Sequence, residues 1–221
     1  MSKLAYVSAK NHRNALDNPN AYNPKKYTVE EIMNSKKLTD DLRLLDCSRP
    51  CTGALQSCLR LKKLPKNSQT CQSGFQELDR KQRLRSFTKN DLTSIESTKI
   101  AAHEAFTMSK TSPEKIDVAE IHDAFTVCEL MVLEDTGIAQ KGKAGQLVSD
   151  LYNTNNKKIN PRGGLIGAGH PLGATGISQI AEITRQLQGK SGKRQTENPK
   201  TGLVQNMSAA ATSSTVLILE S

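Results

Sequence analysis

The sequence predicts a layered α/β fold, and three observations lead there. Apolar residues in the second part of the chain change period repeatedly: helical spacing from Ile95 to Met108, alternation from Ile116 to Ile121, then helical spacing again from Ala124 to Asp135. Two further alternating runs, Gly202–Met207 and Thr215–Leu219, close the chain. Before them lies Asn160–Gly176, with six glycines in the fourteen residues from Gly163 to Gly176 and one histidine, His170, among them. Strands alternating with helices, and permissive loops at strand ends, are the pattern of a sheet covered by helices.

In chain order, Leu4–Val7 is a short apolar start, followed by Lys10-Asn11-His12 and an Asn/Pro-rich run to Pro24. Pro19 and Pro24 exclude a long helix or a central strand through that run. Thr28 followed by Glu30, Glu31, Ile32 and Met33 reads as a short capped helix. Leu42–Leu45 with Asp46-Cys47 reads as a strand or a turn, and Lys62–Arg85 has too few apolar residues to assign. Asp91 is the expected cap of the helix carrying Ile95, Lys99, Ala102, Ala105, Phe106 and Met108. Ser112-Pro113-Glu114 starts a short turn with proline at the first helical position. Ile116–Ile121 is a strand ended by His122-Asp123. The helix after it carries Val127, Cys128, Met131 and Leu133 and stops at Gly137. The glycine run is read as the next feature, a loop whose composition packing does not explain, since no hydrophobic period crosses it. Ala174 or Thr175 then starts a helix with Ile177, Ile180, Ala181 and Leu187 on one face, ending near Gly189. A Ser/Ala-rich turn joins the last two strands. Residues 1–90 are polar and broken up, whereas 91–221 carry the periodic segments and the expected core.

Composition narrows the class. Of 221 residues, 36% are hydrophobic and 24% charged, which fits a globular chain and not a disordered one. The net charge of +9 suits an anionic partner, a phosphate-bearing ligand included, or simply a solvated basic surface. The basic residues are scattered, with no basic helix, zinc-finger spacing or aromatic-basic RNA motif, so no nucleic-acid partner is expected. Five cysteines without a Cys-x-x-Cys pair, no signal peptide and no long apolar run predict a reducing, cytoplasmic setting away from the membrane. The spacing of Cys47, Cys51 and Cys58 does not match zinc ligands, and no metal is expected. The C-terminal Leu-Glu-Ser is not a peroxisomal address.

Two histidines carry chemistry. His122 stands where a strand hands over to a helix, beside the orphan N–H groups of the helix start; it suits an oxyanion-stabilising role or a simple cap. His170 is framed by glycines, with Pro171 fixing the exit of the chain; a neutral imidazole there suits proton transfer from a thiol or hydroxyl. His103 falls within a helical pattern, and His12 in an irregular stretch.

His122-Asp123-Ala124-Phe125, followed by Asn160-Pro161-Arg162-Gly163-Gly164 and Gly169-His170-Pro171-Leu172-Gly173-Ala174-Thr175-Gly176, closely resembles the C-terminal half of thiolases. The likeness is to the sterol-carrier-protein-2 type and the archaeal acetyl-CoA acetyltransferases. Lys10-Asn11-His12 with Asn18-Pro19, Tyr27–Glu31, Leu45–Ser48 and Gln186–Gln195 resemble other parts of that group. The resemblance implies a thiolase-like layered fold: 1–90 as the loop region and end of the N-terminal half, 91–221 as the C-terminal domain. It implies a coenzyme A thioester as substrate, no permanently bound cofactor, His170 activating a cysteine nucleophile, and His122 in an oxyanion hole. It also implies that Lys10, His12 and Gly169 neighbour the coenzyme A tail. Departures accompany it. The half that supplies the nucleophile is missing, so an N-terminal half from elsewhere, or a homo-oligomer, is the expected partner. Ala124 stands where animal members carry a second cysteine, with Cys128 one turn further on, about 6 Å along a helix axis. Asn206–Ala211 replaces a glycine-rich loop and is expected to restrict torsions there, and Arg49-Pro50-Cys51-Thr52 replaces an acidic, small-residue turn. The other reading these departures leave open is a non-catalytic module that binds acyl-CoA or a protein.

Overall fold

A computed structural model describes residues 3–56, the backbone of 72–77, and residues 92–221. Asp91 and most of Lys62–Arg85 lie outside the described residues. Four strands form one sheet in the order β1-β4-β3-β2: β1 Gln72–Glu77, β2 Val118–Ile121, β3 Thr201–Met207 and β4 Ser213–Glu220. β2 runs parallel to β3, and β4 is antiparallel to both β3 and β1. β3 and β4 form a hairpin with Gly202 opposite Leu219 and Met207 opposite Ser214. The mixed α/β, layered architecture is the one expected.

Strand alternation divides the core between the two faces of the sheet. Ala119, Ile121, Leu203, Val216 and Ile218 join a cluster with Ala101, Ala102 and Ala105 of helix α3 (Glu96–Ser109) and with Val132 and Leu133 of α4 (Thr126–Asp135). Val118, Val204, Leu217 and Leu219 face the other way, toward Ile180, Ile183 and Leu187 of α7 (Thr175–Leu187). Gly202 permits this second contact, because a Cβ there would run into Ile183.

Several helices follow the sequence pattern. α2 (Val29–Met33) opens with a capping box, in which Thr28 Oγ1 accepts from Glu31 N–H and the Glu31 carboxylate from Thr28 N–H. Leu44–Asp46 is a short 3-10 turn and not a strand. The start of α3 is secured by Asp135, whose carboxylate accepts from Ile95 N–H at 2.6 Å. Gly137 ends the segment after α4 at φ 77°.

Four expectations need correction. The chain does not open as a short apolar start with an irregular tail: α1 runs from Lys3 to Ala15, and the Asn/Pro-rich irregularity begins only afterwards. Its inward face includes Lys10, Asn11, His12 and Asn14, so polar partners bury it and hydrophobic periodicity does not reveal it. A second helix, α5 (Ala144–Asn153), lies between Gly137 and the glycine run, with Ala144, Val148 and Leu151 buried at helical spacing. The glycine run itself contains α6 (Gly164–Ala168), and packing does explain part of its composition. A Cβ on Gly163 would clash with Ala15, and one on Gly167 with the Asn11 carbonyl, so two of these glycines let α1 and α6 touch through their backbones. Finally, the buried face of α7 is Thr175, Gln179, Glu182, Ile183 and Gln186, leaving Ile177, Ile180, Ala181 and Leu187 only half-buried.

Candidate active site

β2 ends at Ile121 and delivers His122 to the rim of the sheet. The His122 N–H donates to Gln205 Oε1 on the neighbouring β3 at 3.1 Å, which fixes its backbone. Asp123 is fully buried and accepts from the N–H groups of Leu165 (2.6 Å) and Ile166 (3.3 Å) and from Asn11 Nδ2 (2.7 Å). It therefore ties the start of α6 to the end of β2. Gly164, at φ 57°, leaves room for that carboxylate. Two residues beyond α6 the chain reaches His170 through Gly169, and His170 is clamped on both sides: its N–H donates to Arg49 O at 2.9 Å, and its carbonyl accepts from Cys51 N–H at 3.4 Å.

These constraints bring His122 and His170 together. Their rings meet edge to face, with centroids 5.1 Å apart and planes at 89°. Both line a cavity of about 900 Å³ whose wall includes Ala124, Phe125, Cys128 and Met207. Burial, then the neighbouring His170, then Arg162 lower the His122 pKa to about 4. Burial and then Arg162 also lower that of His170. The site is a pair of neutral imidazoles. His170 Nδ1 lies 2.8 Å from Thr175 Oγ1, while His122 Nδ1 is buried without a partner. Arg162, which disfavours a positive charge on either ring, is itself held by a bond from its Nε to the fully buried Glu120 at 2.8 Å.

The wall opposite is the 208–211 loop, and alanine there does not abolish the glycine-like backbone. Ala210 (φ 60°) and Ala211 (φ 53°) occupy the left-handed region despite their side chains. A chain of buried hydroxyls and one amide holds them. Ser97 Oγ donates to Ala211 O and meets Ser214 Oγ, Ser214 meets Thr98 Oγ1, and Thr98 accepts from Gln205, the residue that fixes His122. Burial pushes the Cys128 thiol pKa up, so it is a poor thiolate beside this wall.

Lys10, His12 and Gly169 are not brought into the cavity. Lys10 is fully buried in α1, with Nζ 3.0 Å from Glu129 and 3.2 Å from Ile159 O. His12 is buried against Tyr27, ring centroids 4.8 Å apart, and burial lowers its pKa to about 4. The side of Gly169 where a Cβ would stand is occupied by Cys51 and Tyr22, so its missing side chain serves internal packing. The Lys10 ammonium is already paired with Glu129 inside the fold. Thr175, Gln205 and Arg162 were the site-supporting residues not singled out. In the sequence Thr175 stands out as a helix start and as part of the Gly169–Gly176 motif but not as a partner of His170, and no period or motif signals a buried glutamine on a strand.

The family profile described as Thiolase C-terminal domain-like matches residues 80–221. The chain belongs to the thiolase family. This thiolase chain is 39% identical over 208 residues to an acetyl-CoA acetyltransferase of Methanothermobacter thermautotrophicus, covering 93% of this chain and 54% of that protein. Sterol carrier protein 2 of Oryctolagus cuniculus is 35% identical over 213 residues, covering 92% of this chain and 39% of that protein. The thiolase chain thus spans about half, or less, of the length of these curated relatives. Among solved structures, a chain titled Ltp2-ChsH2(DUF35) aldolase superposes with a TM-score of 0.78 at 22% identity, covering 99% of this chain and 58% of that one. That likeness concerns the fold. Among the described residues, no helix is long and apolar enough to cross a membrane.

Proposed function

We propose that this chain is the C-terminal moiety of a thiolase-type acyltransferase acting on coenzyme A thioesters, completed by an N-terminal half that supplies the cysteine nucleophile. The observation that carries this reading is the pair of histidine rings, centroids 5.1 Å apart, at one wall of a cavity lined largely by apolar groups. His170, neutral and positioned, takes the proton of an incoming thiol; the thiolate attacks the thioester carbonyl, and the coenzyme A thiolate leaves. His122, neutral and desolvated, donates through its ring N–H to the oxygen on which negative charge develops, where a water-poor site makes that bond strong. The relatives named as acetyl-CoA acetyltransferases support the substrate class.

The test is acetyl-CoA condensation and 3-ketoacyl-CoA thiolysis by the chain alone and mixed with a thiolase N-terminal half. No turnover alone, with turnover on mixing that drops at least about 100-fold in His170→Ala, is the expected outcome. Turnover by the isolated chain would show that the nucleophile lies within it. The alanine side chains that Ala209–Ala211 add to the cavity wall favour a second reading, a module that binds acyl-CoA without turning it over. Calorimetric binding of coenzyme A thioesters, with no turnover in any reconstituted mixture, would select it.

A further inference from the structure

Thr175 is the first residue of α7 and is completely buried, so water does not compete for its hydroxyl. Its Oγ1 lies 2.8 Å from His170 Nδ1. The backbone of His170 is pinned by Arg49 and Cys51, and its ring rests edge to face on His122. One ring nitrogen is therefore committed to Thr175, and Nε2 is the nitrogen left for the cavity that His170 lines. In a neutral imidazole one nitrogen carries the proton and the other a lone pair, and the partner of the first decides the role of the second. A threonine hydroxyl both donates and accepts, so it is able to stabilise either form.

We propose that Thr175 is the positioning residue that holds His170 in the Nδ1–H tautomer and leaves the Nε2 lone pair facing the cavity as a base. The assignment rests on the acyl-transfer reading, which needs an acceptor at Nε2. In that arrangement His170 Nδ1–H donates to Thr175 Oγ1. When Nε2 takes a proton, the resulting imidazolium keeps the same bond and the ring does not turn. The converse arrangement, with the hydroxyl donating to Nδ1, places the proton on Nε2 and makes His170 a hydrogen-bond donor with no capacity to deprotonate a thiol.

Long-range 1H–15N correlation spectra of the full chain at pH 7 read the tautomer directly, with His170 assigned by the signals lost in His170→Asn. The expected result is a predominantly Nδ1–H ring, in about five-fold excess or more. Thr175→Ser should keep it, and Thr175→Val should shift it toward the Nε2–H form that a free histidine favours, while the His12 signals stay in place. A dominant Nε2–H form in the wild type overturns the proposal, as does an unchanged ratio in folded Thr175→Val. Should the valine variant not fold, the wild-type and serine spectra still decide. No acyl transfer is needed for this measurement, so an Nδ1–H ratio as expected, beside a reconstituted complex that never turns over, would count against the acyltransferase reading alone.

Discussion

Burial, more than any single neighbour, sets the charge of His122. The folded imidazole takes up its proton near pH 4, whereas an unfolded one does so near 6.5. Between those values the unfolded chain binds more protons, so the contribution of His122 is to lower stability as pH falls through that window. At pH 5 this amounts to about 2 kcal/mol relative to pH 7. Urea unfolding of wild type and His122→Asn at both pH values should show wild type losing about that much more than the variant. An equal loss would mean that the ring is solvated. The same scale covers Ala210 and Ala211. Each non-glycine residue in the left-handed region is held against an intrinsic cost, so Ala210→Gly is expected to stabilise the chain by about 0.5–1 kcal/mol, read as a raised urea midpoint. A lowered midpoint would show that the hydroxyl chain from Ser97, not the torsion, dominates there.

At the scale of elements, α1 is anchored by polar groups where most helices use apolar ones. Lys10 pairs with Glu129 of α4, and Asn11 donates to both Asp123 and Glu129 at 2.7 Å. The amide thus bridges two buried carboxylates, and burial with the adjacent Glu129 pushes the Asp123 pKa upward. Removing the single cation leaves an unpaired buried charge, and Lys10→Met should cost about 3–5 kcal/mol in thermal or urea unfolding. The double change Lys10→Met with Glu129→Gln should recover much of it, because no charge is then stranded. A single-variant cost below about 1 kcal/mol would mean that α1 is held by its contacts with α5 and α6 instead.

At the scale of the whole molecule, apolar side chains remain in water around the cavity mouth. Leu172 is 73% exposed, Val127 43% and Phe125 42%. Phe125 and Leu172 line the cavity, where the proposed N-terminal half would complete it. Leu172→Lys should change the stability of the isolated chain by no more than about 0.5 kcal/mol, since the side chain packs on little. It should nevertheless weaken reconstitution with that half by about ten-fold or more in a titration followed by activity or sedimentation. Unchanged reconstitution would place the interface elsewhere.

The sequence by itself determined the α/β class and strands at Ile116–Ile121, Gly202–Met207 and Thr215–Leu219, each within a few residues of the structure's bounds, and it singled out two histidines that the fold brings side by side. Period-two and period-3.6 patterns are local, and so are the capping residues at Thr28 and the proline turn at Ser112. The tertiary structure alone decided what lies behind the site. Lys10 and His12 looked like free basic groups beside a ligand, yet they are buried in a helix whose polar face had no hydrophobic signature. The glycines of Gly163–Gly169 looked like room for a ligand, yet several make room for Ala15, Asn11, Asp123 and Cys51. Thr175 and Gln205 support the histidines across 5 and 83 residues of chain, and Arg162 acts on both through charge. A buried polar partner leaves no periodic trace in a sequence, because its energy depends on where another segment arrives in space.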